Sequence, residues 1–305
     1  MIGAVASQQF LALRRQRVFV GLLVMFMAMT AVAGLLGWSS HQTIVRVYKE
    51  AVSLLASRGQ GAPPNPFLLK PELSQLSNMV IYVPLLGALL ALLVGHLSIA
   101  EDATTGLGRL IFSRPVSRRG YVWGKVIAGA AVMGGVLIVG FLVSTISLSL
   151  IDGGLPSTSN LGRLLLFYGL SWLYLMVFVL IGMVAMLATR RRSLALLTAM
   201  GAWLVVTFVI PQFTSGLRPV ASLNPIVDPV STSQRFFQVT ANARPLSIVE
   251  QYKTASGQIL ATAGQESMWA TLTHVLPLVF SLIILLSTAY VLVRRHDFSR
   301  VTSGE

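Results

Sequence analysis

The chain has no cysteine and only ten acidic residues in 305. The first absence excludes disulfides, thiolate metal sites and cysteine nucleophiles. Charged residues of both signs make up 11% of the chain, against about a quarter in a soluble domain, so an ordinary water-facing surface is excluded too. The four histidines (His41, His96, His274, His296) are scattered, and without H-x-x-x-H spacing no metal site is expected. A phosphate loop is also missing. Gly120-Tyr-Val-Trp-Gly124-Lys125-Val126 has one residue too few between its glycines, and Val126 stands where Ser or Thr must hold magnesium. The formal charge of +13 comes without any RNP, zinc-finger or basic-zipper pattern, so nucleic acid is not an expected partner.

What the chain has instead is apolar length: 54% of its residues are hydrophobic and the mean hydropathy is +0.75. Six uncharged stretches run Val18 to Trp38, Met79 to Ala100, Val126 to Leu150, Leu164 to Ala188, Leu194 to Ile210 and Val275 to Val293. About 20 residues rising 1.5 Å each match the roughly 30 Å hydrocarbon core, and lipid leaves such a run no structure but a helix. The expected fold is all-α, one membrane domain over 1–305 with six transmembrane helices. The fifth stretch is short and meets Pro211. The first has a basic flank and Ala31-Val-Ala33, as a cleaved signal peptide would. Its apolar run exceeds the usual h-region, which argues for a retained span.

Lys and Arg lie unevenly about these spans. Arg14, Arg15, Arg17, Arg109, Arg114, Arg118, Arg119, Lys125, Arg190, Arg191, Arg192, Arg294, Arg295 and Arg300 fall on one side. Arg46, Lys49, Arg58, Lys70, Arg163, Arg218, Arg235, Arg244 and Lys253 fall on the other, over much longer loops. The first side is therefore expected to be cytoplasmic, with both termini on it and its cations against anionic lipid headgroups.

Two outer segments, 39–78 and 211–274, are long enough to bind an extracytoplasmic partner protein. In the second, Ser247 and Glu250 occupy capping-box positions, and Ile248, Tyr252, Ala255 and Ile259 recur at helical spacing. This predicts a short helix on the outer surface, either packed over the bundle or acting as a lid. Residues 1–17, with Ile2, Val5, Phe10, Leu11 and Leu13 before Arg14 and Arg15, predict an amphipathic helix on the inner leaflet.

Intramembrane acids and bases are costly and mark function where they occur. The six stretches contain no Asp, Glu, Lys or Arg, and His96 alone carries a readily titrating group well inside one. That pattern argues against a membrane enzyme and against an ion-coupled transporter. Met25, Met27 and Met29 are spaced two apart and share no helix face, so they read as lipid-facing filler and not as a copper site.

The most informative stretch is EDATTGLGRLIFSRPVSRRGYVWGK, from Glu101 to Lys125. Leu107, Leu110 and Ile111 suggest a short helix, which Pro115 ends. Ser117 can cap the next helix, where Tyr121 and Trp123 suit the headgroup layer. Composition alone allows a plain topology signal, its acids pairing with its five bases. The order of acids after the second span, a glycine turn, Leu110-Ile-Phe-Ser113-Arg114-Pro115-Val-Ser117-Arg118, and Gly124-Lys125 into the third span resembles permease subunits of ABC-2 type exporters. Ser222-Leu-Asn-Pro225 and Ser233-Gln-Arg-Phe236 resemble the branch typified by the permease of nitrous oxide reductase maturation.

That resemblance implies a permease homodimer in the inner (cytoplasmic) membrane, driven by two copies of a separate ATPase that holds the ATP and magnesium. This chain would then carry no cofactor. The 101–125 loop would be the docking surface. Glu101 and Asp102 would lie near the ATPase, Arg109, Leu110, Ser113, Arg114 and Pro115 would form the coupling segment, and Ser117, Arg118 and Lys125 would secure its return to the membrane. Gly106-Leu-Gly108 replaces the commoner Gly-Thr pair. Two alternatives stand beside this reading. One is a scaffold that binds a partner through its outer loops without transport. The other is a membrane enzyme drawing on Asp228, Glu250, Glu266 and His274.

Overall fold

The computed structural model describes residues 16–61, 63, 73, 76, 79–104, 118–152, 154–189, 191–214, 239–240, 242–260 and 268–295. Seven helices organise them. α1 is Arg17–Ser57, and α2 joins Met79–Tyr82, a π-helical turn Val83–Gly87, and Ala88–Thr104. α3 is Arg118–Asp152 and α4 is Thr158–Ala188. α5 joins Arg192–Leu204, a second π turn Val205–Val209, and Ile210–Thr214. α6 is Ile248–Ile259 and α7 is Met268–Arg295. All but α6 are long and apolar enough to cross a membrane, and no strand occurs among the described residues.

The helices overrun the apolar stretches because nothing stops them at the hydrocarbon boundary. α1 continues through Arg46 and Lys49 to Ser57. It ends where Gly59 takes φ 70°, with Gly59 N donating to Ala56 O (3.1 Å) and Gln60 N to Leu55 O (2.9 Å). This double bond satisfies the last carbonyls and requires a residue at ease in the left-handed region. Both π turns sit beside a proline, Pro84 within one and Pro211 just after the other. A widened turn accommodates the missing N–H and the ring. For that reason α5 runs past Pro211 to Thr214.

α4 and α2 form the centre of the bundle, with 78% and 72% of their most apolar stretches buried, whereas those of α1, α5 and α7 are buried over only 28%, 22% and 11%. Glycine sets the α2–α4 spacing. A Cβ on Gly95 would stand 1.9 Å from Val179 O, and one on Gly182 would stand 2.1 Å from Leu92 O. In lipid, where apolar surface gives helices no reason to associate, such backbone contact is a main source of packing energy.

α6 departs from the sequence expectation. Ser247 does cap it, accepting from Glu250 N at 3.4 Å. The helix does not lie loosely on the surface, however: apart from Lys253 it is buried or half-buried. Val249, Glu250, Gln251, Tyr252, Ala255, Ser256 and Gly257 are all buried, wedged between α4, α7 and the adjoining ends of α2 and α5. The Tyr252 ring lies 4.5 Å from that of Tyr174, and its hydroxyl is 2.9 Å from Ser171 Oγ. Tyr174 lies sixteen residues after Thr158, where α4 starts, about 24 Å along the helix, so α6 reaches well into the bundle. Ala255, Ser256 and Gly257 make this possible, since small residues give the second face of the helix room to pack.

Candidate functional site

Arg17, Arg118, Arg192 and Arg295 mark helix termini at one end of the bundle, which we call the basic end. Here the segment 105–117 leaves α2 and returns as α3. Asp102, in the last turn of α2, is 2% exposed, and Lys125, two turns into α3, is 5% exposed. Their Nζ and Oδ2 atoms are 2.7 Å apart. The Tyr121 hydroxyl donates to the same oxygen at 2.8 Å, and the ammonium sits 5.7 Å from the Tyr121 ring centroid. Tyr121 and Lys125 are four residues apart on α3, so both face Asp102.

Two further contacts extend this knot. Gln16 Nε2, just before α1, donates to Glu101 Oε1 at 3.2 Å. Arg118 Nη1 donates to Val293 O at 3.2 Å and also to Arg294 O, satisfying carbonyls that the C-terminus of α7 leaves open. The flanks of 105–117 are thereby tied to each other, to α1 and to α7.

Of the residues singled out in the sequence, Glu101, Asp102, Arg118 and Lys125 come together here. Arg109, Leu110, Ser113, Arg114, Pro115 and Ser117 lie outside the described residues, as do residues 1–15 and the Asn-Pro segment at 222–236. Asp102 faces into the protein with Lys125, whereas Glu101 is half-buried and accepts from Gln16. Tyr121, placed by sequence in the headgroup layer, is 2% exposed, while Trp123 is 50% exposed as expected. The i,i+4 spacing of Tyr121 and Lys125 was the available signal for the first of these.

Of the residues considered for an enzyme, Glu250 and His274 are among the described ones. Asp228 and Glu266 lie outside the described residues. Glu250 faces Arg244 at 3.9 Å and Lys253 at 3.8 Å, whereas His274 Nδ1 is 2.6 Å from Gln251 Oε1, so each has a partner in the α6 packing. His96 is 1% exposed, in the middle of the α2–α4 contact. No cluster of three or more His, Asp or Glu able to hold a metal occurs among the described residues.

The buried Asp102–Lys125 pair joins the end of α2 to the start of α3 at the basic end. Comparison with curated proteins finds no match. The family model described as ABC-2 family transporter protein matches residues 3–298, nearly the whole chain, and the chain belongs to that family of membrane transport proteins.

Proposed function

We propose that the chain is the transmembrane subunit of an ATP-binding cassette exporter, coupling ATP hydrolysis by a separate ATPase to translocation or extrusion of a substrate. In this reading the basic end is cytoplasmic and the chain sits in the inner membrane as a homodimer. Two ATPase copies, holding the ATP and magnesium, press on the segment between α2 and α3.

The observation that carries the proposal is the Asp102–Lys125–Tyr121 knot. A loop that is pushed moves helices only if its flanks are stiff. Burial strengthens the electrostatic contacts that join α2 to α3, and the Arg118 contact passes the same displacement to α7. A mere topology signal needs its cations exposed on the correct side; it does not need a buried acid joined to one of them.

The reading is tested by co-expressing the chain with its candidate ATPase and measuring ATP hydrolysis by the purified complex in lipid. Charge reversal at Glu101 or Arg114 is expected to abolish stimulation of hydrolysis while the permease stays folded and keeps its oligomeric state. Normal stimulation in both variants overturns the docking role.

A further inference from the structure

The basic end carries a second feature that coupling does not use. Where α3 begins and α7 ends, a groove of about 320 Å³ opens between them, lined by Arg119, Val122, Trp123, Leu286, Ser287 and Tyr290. Two guanidinium groups converge on one ring there. Arg119 Cζ lies 5.3 Å and Arg294 Cζ 4.9 Å from the Tyr290 centroid, and Arg119 Nε donates to the Tyr290 hydroxyl at 2.8 Å. Among the described residues neither arginine forms an ion pair with a carboxylate. The ring face offsets part of their mutual repulsion; an anion between them would offset the rest.

The order of residues along the groove identifies the anion. From Arg119 the next turn of α3 into the bundle brings Val122 and Trp123, and from Tyr290 the next turn of α7 inward brings Ser287 and Leu286. Charge therefore lies at the outer rim and apolar surface one turn deeper, on both walls. Trp123 is half exposed. That is the polarity of a phospholipid standing in the adjoining leaflet. A soluble partner would meet the arginines from the other side and leave the apolar floor unused. We propose that this groove is a specific site for an anionic phospholipid, its phosphate held by Arg119 and Arg294 and an acyl chain lying against Val122, Trp123 and Leu286. Basic pockets between membrane helices recognise lipid headgroups in this way. The proposal requires only that the bundle span a bilayer, and it is independent of coupling to an ATPase.

Native mass spectrometry of the full chain, released from nanodiscs of phosphatidylglycerol or phosphatidylcholine, tests it. The unaltered chain is expected to retain phosphatidylglycerol selectively. Arg119→Gln combined with Arg294→Gln is expected to weaken that retention about thirty-fold, because each arginine is worth roughly a factor of five near an anionic headgroup. Phosphatidylcholine retention should not change. Equal retention of the two lipids by the unaltered chain overturns the proposal. So does a double variant that keeps its phosphatidylglycerol, including one that instead loses a protein partner. If the double variant does not fold, Trp123→Ala and Arg294→Gln are read singly. Each must lower phosphatidylglycerol retention with no change in thermal unfolding in phosphatidylcholine, and unchanged retention in either overturns the site.

Discussion

Removing Asp102 alone should cost far more than removing Asp102 and Lys125 together. At 2.7 Å the pair attracts with about 6 kcal/mol at an effective dielectric constant near 20, but dehydrating each ion costs several kcal/mol, so the intact pair contributes little net stability. Asp102→Ala leaves a buried ammonium without a counter-charge, at about 3–5 kcal/mol, and removes the carboxylate acceptor of the Tyr121 hydroxyl, at about 1–3 kcal/mol. Adding Lys125→Met removes the first penalty. Adding Tyr121→Phe removes the second and should bring the triple variant within about 1–2 kcal/mol of the unaltered protein. Unfolding of the purified chain in mixed micelles, titrated with a denaturing detergent, gives the cycle directly. A coupling energy of at least about 2 kcal/mol between positions 102 and 125 is expected. If Asp102→Ala costs less than about 1 kcal/mol, or Lys125→Met does not rescue it, the two groups are not a buried pair and the stiff junction is lost with them.

Other consequences follow from the packing. Gly95→Ala and Gly182→Ala each force a Cβ to within about 2 Å of a backbone carbonyl and should cost at least about 1–3 kcal/mol, whereas Gly135→Ala, with open space around it, should be close to neutral in the same unfolding assay. Tyr252→Phe removes a hydroxyl shared with Ser171 and should cost about 1 kcal/mol; Tyr252→Ala, which empties the α4–α6 contact, should cost about 3–5 kcal/mol. The absence of native cysteine makes accessibility mapping of α6 straightforward. Cysteine at Ser256, fully buried, should resist a polar maleimide, while cysteine at Lys253, whose side chain is 43% exposed, should react. Equal labelling would return α6 to the surface.

The six spans were legible because lipid leaves a long uncharged run one option. Their ends were not, because helix termination depends on local backbone chemistry. The apolar stretch of α1 ends at Trp38 but its helix runs on past Arg46 and Lys49 and waits for Gly59, and Pro211 does not stop α5 because the π turn before it absorbs the proline. The α6 helix and its Ser247 cap were visible in the pattern 248, 252, 255, 259. Its insertion was not, since periodicity reports one apolar face, whereas Glu250 and Gly257 on the other side of α6 are buried as well, with Lys253 left exposed. At the candidate site, the acids at the end of α2 and the cations that follow them were plain in the sequence. Which acid meets which base depends on the crossing of α2 and α3, and so does the inward turn of Tyr121. The arginine pair on Tyr290 joins positions 171 residues apart, beyond the reach of any local pattern.

The measurement bearing most directly on the coupling proposal is ATP hydrolysis by the reconstituted complex of this chain with its ATPase, with Arg114→Glu in the segment between α2 and α3. Hydrolysis stimulated by the unaltered permease and reduced at least about tenfold by Arg114→Glu, with the permease still folded and dimeric, is the result predicted. A permease that purifies active without any ATPase, or a variant that stimulates hydrolysis as well as the unaltered chain, would contradict it.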